Sequence, residues 1–128
     1  MRKITRSLLN KKIKVVFSKY IIKRAGGCEM AGKIDGKFAS CGGGLQCSHI
    51  KTVGAYKNLR FDPYNALALC YRHHIHYWHK EKGEAYKWFE KHYPTRVVYL
   101  DHNKNKLFKP TLDDLQELYE MYKAKGGE

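Results

Sequence analysis

The sequence is short of acid. Twelve Asp and Glu face twenty-five Lys and Arg across 128 residues, leaving a formal charge of +13. Self-repulsion on that scale makes most sense for a chain whose partner is polyanionic, so nucleic acid is the first expected partner. A long apolar run is also missing, and the opening MRKITRSLLNKKIKVV is too polar for a secretory leader. No membrane partner is therefore expected, and a cytosolic location is. There is no internal repeat and no low-complexity tail beyond residues 123–128. At this length one domain with a modest core is expected. No Cys-x-x-Cys pair occurs, which weakens a redox role. His-Glu-x-x-His is absent and no two histidines stand four apart, which ranks a different metalloenzyme built on HHIHYWH last.

What is present is a set of four cysteines, Cys28, Cys41, Cys47 and Cys70, and a dense run of histidines. In a reducing compartment disulfides are rare, so the cysteines read as core thiols or metal ligands. Cys70-Tyr71-Arg72-His73 is a Cys-x-x-His step of the kind that closes a zinc site.

Along the chain, Leu9, Ile13, Val16, Phe17, Tyr20 and Ile21 fall at helical spacing over residues 9–24, with lysines between them. Ala25-Gly26-Gly27 stops that helix. Residues 28–44 read as a loop or knuckle, residues 45–53 as a strand, and 66–69 as a short apolar piece after the Asp62-Pro63 turn signal. The histidines open a helix. Another, near residues 84–92, buries Ala85, Trp88 and Phe89, and Pro94 follows it. Arg96-Val97-Val98-Tyr99-Leu100 is a strand candidate. Thr111 caps a last helix, with Asp114 completing a capping box and Leu112, Leu115, Leu118, Tyr119 and Tyr122 as its buried stripe. The aromatics at 77, 78, 86, 88 and 89 suit a core better than base stacking.

Three polar residues stand out in this layout: His49 at the end of a strand, Asn65 before the next apolar piece, and His74 in the first turn of a helix. Strand, loop, strand and helix of this size can fold back so that the three converge. A metal-dependent phosphodiesterase needs such a set: an unprotonated imidazole to take a proton from attacking water, a hard cation for the phosphate, and an amide to hold the base or add an oxygen ligand.

Here the chain resembles the HNH, or ββα-metal, nucleases, through SHI, N and HH within LQCSHIKTVGAYKNLRFDPYNALALCYRHHIHYWHK. It looks closest to phage recombination endonucleases of the NinG type and related small phage proteins, over residues 9–93. KKIKVVFSKYIIKRAGGCEMAGK is similar to their helix leading into a cysteine knuckle, and LRFDPYNALALC to their loop into the second knuckle. The resemblance implies an α+β fold, a small ββα-metal (His-Me finger) core with a zinc knuckle, flanked by N- and C-terminal helices. It divides a single nuclease domain over residues 1–128 into a basic helix (8–24), knuckle and core (28–80) and C-terminal helices (83–124). By position it makes His49 the general base, Asn65 an orienting or metal-contacting residue, and His74 the ligand of a catalytic Mg²⁺ or Mn²⁺. The product ends would be 5′-phosphate and 3′-hydroxyl.

The chain departs from the family pattern twice. Ser48 stands where many members have a metal-ligating Asp. Ala31 stands where many have a second knuckle cysteine, which makes Cys41 the natural substitute and the expected structural zinc set Cys28, Cys41, Cys70 and His73. Buried thiols without metal, and Cys47 as a competing ligand, remain open. Adjacent helical residues diverge by about 100°, so His73 turns to zinc while His74 turns away from it. His79, five positions beyond His74, lies too far around an ideal helix for easy joint ligation, so surface or nucleic-acid contact is expected for it and for His76, with an extra catalytic ligand as the alternative for His79. Lys51, Lys57, Arg60 and Arg72 are the expected phosphate contacts.

Two readings of function follow. One is a DNA endonuclease of a phage or its bacterial host, acting on branched or nicked DNA with low sequence preference. The other is a zinc-stapled nucleic-acid-binding protein without activity, which Ser48 would suit. A homodimer built on the terminal helices would serve paired cuts.

Overall fold

The computed structural model describes residues 4–127. It is an α+β arrangement, largely helical around a two-stranded antiparallel sheet. Helix α1 spans Arg6–Ala25. The Thr5 side chain accepts from the Leu8 N–H at its start, and Gly26 ends it at φ 70°, a left-handed conformation that costs glycine little. Lys23 and Arg24 lie in its last turn, where cations suit the helix dipole.

Strands β1 (Leu45–His49) and β2 (Ala66–Cys70) pair with Leu45 opposite Cys70 and His49 opposite Ala66. All five residues of β2 are buried, because the sheet is covered on both faces. Ala66 and Ala68 meet Leu9, Ile13, Val16, Phe17 and Ile21 of α1. Leu67 and Leu69 point into a second cluster with Met30, Ile50, Leu59, Trp78 and Phe89. Alanines on one side let the long helix approach closely. Leucines on the other fill the larger space, and burying each contributes about 1.5–3 kcal/mol. The outer edge of β2 is also occupied. Glu29 exchanges bonds with Ala68, its N–H donating to the Ala68 carbonyl (2.9 Å) and its Oε2 accepting from the Ala68 N–H (2.7 Å). Arg24 and Arg96 both donate to the Ala66 carbonyl.

The strand expected over residues 45–53 stops at His49. Beyond it, Lys51 gives its N–H and C=O to the Asn65 side chain instead of to a neighbouring strand, so the ladder ends.

After β2 comes a helix of π form, Arg72–His79, wider than an α-helix. Helices α2 (Lys82–His92), α3 (Pro94–Asn103) and α4 (Leu112–Tyr122) follow, and a short segment of π form covers Lys123–Gly127. The strand candidate at residues 96–100 lies inside α3. Pro94 sits in its first turn with φ already set for a helix, Leu100 is fully buried, and the Tyr99 hydroxyl donates to Asp62 (2.6 Å). These contacts override the strand preference of Val97 and Val98. The Thr111–Asp114 capping box is formed as expected. Leu115 and Tyr122 are buried under α4, whereas Leu112 is 43% exposed because the first turn overhangs the core. No helix among the described residues is long and apolar enough to cross a membrane.

Candidate metal centre and active site

Cys28, Cys41, Cys70 and His73 converge, with all four donor atoms within 4.8 Å of one another. Cys28 follows α1 and is fixed beside β2 by its neighbour Glu29. Cys41 is brought in by a loop that follows the start of the π helix, where Tyr71 N–H donates to Gly44 (3.0 Å) and Arg72 N–H to Gly42 (2.9 Å). Gly43 makes that approach possible. Its φ is 81°, and a Cβ there would lie 2.6 Å from Cβ of Tyr71.

The fully buried His73 turns Nδ1 toward the sulfurs, 3.1 Å from Cys70, 3.3 Å from Cys28 and 3.8 Å from Cys41. Its Nε2–H donates to the Phe38 carbonyl (2.7 Å), which leaves the Nδ1 lone pair for an ion. A tetrahedral zinc with ordinary Zn–S and Zn–N bonds has sulfur–nitrogen edges of about 3.5 Å. The donor set therefore fits a metal ion and is consistent with a structural zinc. Without an ion the three thiols resist joint ionisation. Desolvation and the neighbouring Cys28 and Cys70 push Cys41 up to about 12. Burial also opposes ionisation of Cys70, yet hydrogen bonds from the Gly42 and His73 backbone and from Cys28 and Cys41 bring it below its usual value. Three thiolates cannot share so small a space without a cation. Cys47 stands apart, half-buried against the α1 cluster, with its thiol pushed up to about 11 by burial.

His74 and His79 lie side by side, and His49 is near enough for its charge to act on His74. The His49 ring lies parallel to Phe17 of α1 (17° between planes), and its Nε2–H donates to the Arg60 carbonyl at 2.8 Å. A carbonyl only accepts, so Nδ1 is the lone-pair nitrogen. Burial lowers the pKa of His49, against the opposing pull of the Arg60 carbonyl bond, and the charges of Arg60 and Lys14 add to the lowering. The ring is neutral at neutral pH. His74 gives Nδ1–H to Oε1 of Gln46 (2.7 Å). Burial first, then the nearby His79 and His49, lowers its pKa to about 4.

The separation expected between His74 and His79 is corrected here. Their Nε2 atoms are 3.0 Å apart. The π winding is the reason, since its turn closes at five residues where an α turn closes at four. A spacing of five was the available sequence signal. Gln46 had one too, because strand alternation places it on the same face as Ser48. Ser48 is 1% exposed and its hydroxyl has no partner.

Asn65 is fully buried and its amide is committed to backbone. Oδ1 accepts from Lys51 N–H (2.7 Å), and Nδ2 donates to the carbonyls of Lys51 (3.0 Å) and Leu59 (3.2 Å). It orients the loop that carries the Arg60 carbonyl. Asn65→Ala strands three buried backbone groups, at about 1–3 kcal/mol each before relaxation. We expect a loss on the order of 3 kcal/mol, read as a lowered urea midpoint. Asn65→Asp keeps the acceptor but turns an oxygen toward the Lys51 and Leu59 carbonyls, and should lose at least as much.

The four expected phosphate contacts divide evenly. Lys51 is already engaged: its Nζ pairs with Asp101 (3.4 Å), lies over Tyr56 and Tyr86, and its side chain is 13% exposed. Arg72 donates to the Lys37 carbonyl and covers Phe38, supporting the knuckle. Lys57 is exposed, and Arg60 is half-buried with its guanidinium 5.0 Å over the Phe61 ring. Further exposed cations that the site could use line α1: Lys11, Lys12, Lys14, Lys19 and Lys23.

Comparison with protein-family models, curated proteins and solved structures finds no match to this chain.

Proposed function

We propose that this chain is a metal-dependent DNA endonuclease of the HNH, or ββα-metal, type, stabilised by a structural zinc on Cys28, Cys41, Cys70 and His73. The observation that carries the reading is the hydrogen bond of His49 Nε2 to the Arg60 carbonyl. A half-buried imidazole at a strand end, anchored through Nε2 on a backbone carbonyl and held neutral, is prepared to accept a proton at Nδ1. In the proposed reaction that proton comes from water as its oxygen bonds to phosphorus. The bond from phosphorus to the 3′ sugar oxygen breaks, leaving the 5′-phosphate and 3′-hydroxyl ends that the resemblance implies. His74 would hold the divalent cation, Mg²⁺ or Mn²⁺ by that resemblance. When bound, the cation neutralises charge on the phosphate and on the departing oxygen. Asn65 acts through the loop that fixes His49. Lys57, Arg60 and the outer lysines of α1 would hold phosphates without reading bases. The fitting substrates are branched or nicked DNA met in phage recombination and DNA processing.

A second reading is favoured by Ser48, whose buried hydroxyl replaces an acidic ligand. On that reading the protein binds nucleic acid and cuts nothing. Incubation of zinc-loaded protein with supercoiled plasmid, with Mg²⁺, Mn²⁺ or Co²⁺ and with EDTA, separates the two. Nicking that requires a divalent ion supports the nuclease. DNA retained in a gel shift but uncut with every ion establishes the second reading instead.

A further inference from the structure

We infer that His74 and His79 together form a two-imidazole cation site whose donor chemistry selects a late first-row transition metal over Mg²⁺. Three observations carry this. The first is the distance between the two Nε2 atoms, 3.0 Å. Two nitrogens bound to one ion at about 2.1 Å and near a right angle are about 3 Å apart, so the pair already has the separation of adjacent ligands.

The second is how the pair is aimed. The Gln46 Oε1 takes the His74 Nδ1 proton and so leaves the Nε2 lone pair directed toward His79. The exposed His79 is free to present its own Nε2 in the same way once an ion replaces the hydrogen bond between the rings. The π turn makes the pairing possible, since in an α-helix residues five apart point in different directions.

The third is the lack of oxygen. Ser48, the residue before His49, is buried and carries no carboxylate. Among the described residues, the Cys28–Cys41–Cys70–His73 set is the only group of three or more His, Cys, Asp or Glu donors close enough to hold an ion. The His74–His79 site therefore offers two imidazole nitrogens and leaves its other positions to water or phosphate. Mg²⁺ demands oxygen ligands and gains little from imidazole, whereas Co²⁺, Ni²⁺ and Zn²⁺ bind it well, with Mn²⁺ weaker than these.

The inference depends on the nuclease reading only for the use made of the ion, so its test is binding and not cleavage. Protein carrying one equivalent of zinc is titrated calorimetrically with Co²⁺, Mn²⁺ and Mg²⁺. Absorption is followed in parallel, because Co²⁺ entering the thiolate site would show sulfur charge-transfer bands. We expect one further equivalent of Co²⁺ without those bands, at least 100-fold tighter than Mg²⁺. His79→Ala, a change at an exposed position, should weaken Co²⁺ at least tenfold while zinc content and the melting curve stay unchanged. Absence of a second Co²⁺, unchanged affinity in His79→Ala, or Mg²⁺ binding as tightly as Co²⁺ would each overturn the inference. Co²⁺ bound as expected with no nicking leaves this site standing and overturns the nuclease.

Discussion

Replacing His49 with alanine is expected to slow metal-dependent nicking by about 10²–10⁴-fold, the usual worth of a positioned general base. DNA affinity and the melting temperature should change little. The side chain is only half-buried, and its one hydrogen bond ends on the Arg60 carbonyl, which can turn to water once the ring is gone. The pH profile supplies a second readout. A base works when unprotonated, and burial with the Arg60 and Lys14 charges moves the His49 pKa below its ordinary 6.5. The single-turnover rate should therefore hold its plateau below pH 6.5 before falling in acid, and His49→Ala should lack that acid limb. Equal rates for the two proteins would remove His49 from the mechanism.

The other large effect belongs to the knuckle. Cys70→Ser should reduce bound zinc from one equivalent to almost none and leave a chain without a cooperative melt at room temperature. Structural zinc contributes on the order of 10 kcal/mol of apparent binding free energy at pH 7, comparable with the whole stability of a small domain. Cys70 is the most consequential of the three thiols because it also ends β2 and accepts the His73 N–H at 3.4 Å. Cys47→Ser is the control. It lies outside the donor set and should keep its zinc with a modest packing loss. One full equivalent retained in Cys70→Ser would reject the assignment of the site.

The sequence was most informative where a local rule coincided with tertiary demand. The Leu9–Ile13–Phe17–Ile21 spacing, the Thr111 cap and the Cys70–His73 step each describe a contact made within a turn or two of chain. Cys41 was reached through the family resemblance alone, and its place depends on Gly43 letting the loop lie against Tyr71, which composition does not reveal. Val97 and Val98 misled because strand preference is weak beside a proline-started helix with a buried Leu100. His79 was hidden by the assumption of 3.6 residues per turn. One added residue of winding over eight positions turns two divergent rings into neighbours. Lys51 read as a free cation until its partner, Asp101, arrived from fifty residues away.

The sealed margin of β2 has a consequence for self-association. An open strand border normally invites a second chain to continue the ladder, and proteins that polymerise often begin there. Here the Glu29 carboxylate and amide, with the guanidinium groups of Arg24 and Arg96, already fill that border at Ala66 and Ala68. A pair of molecules, if one forms, has to meet somewhere other than along β2.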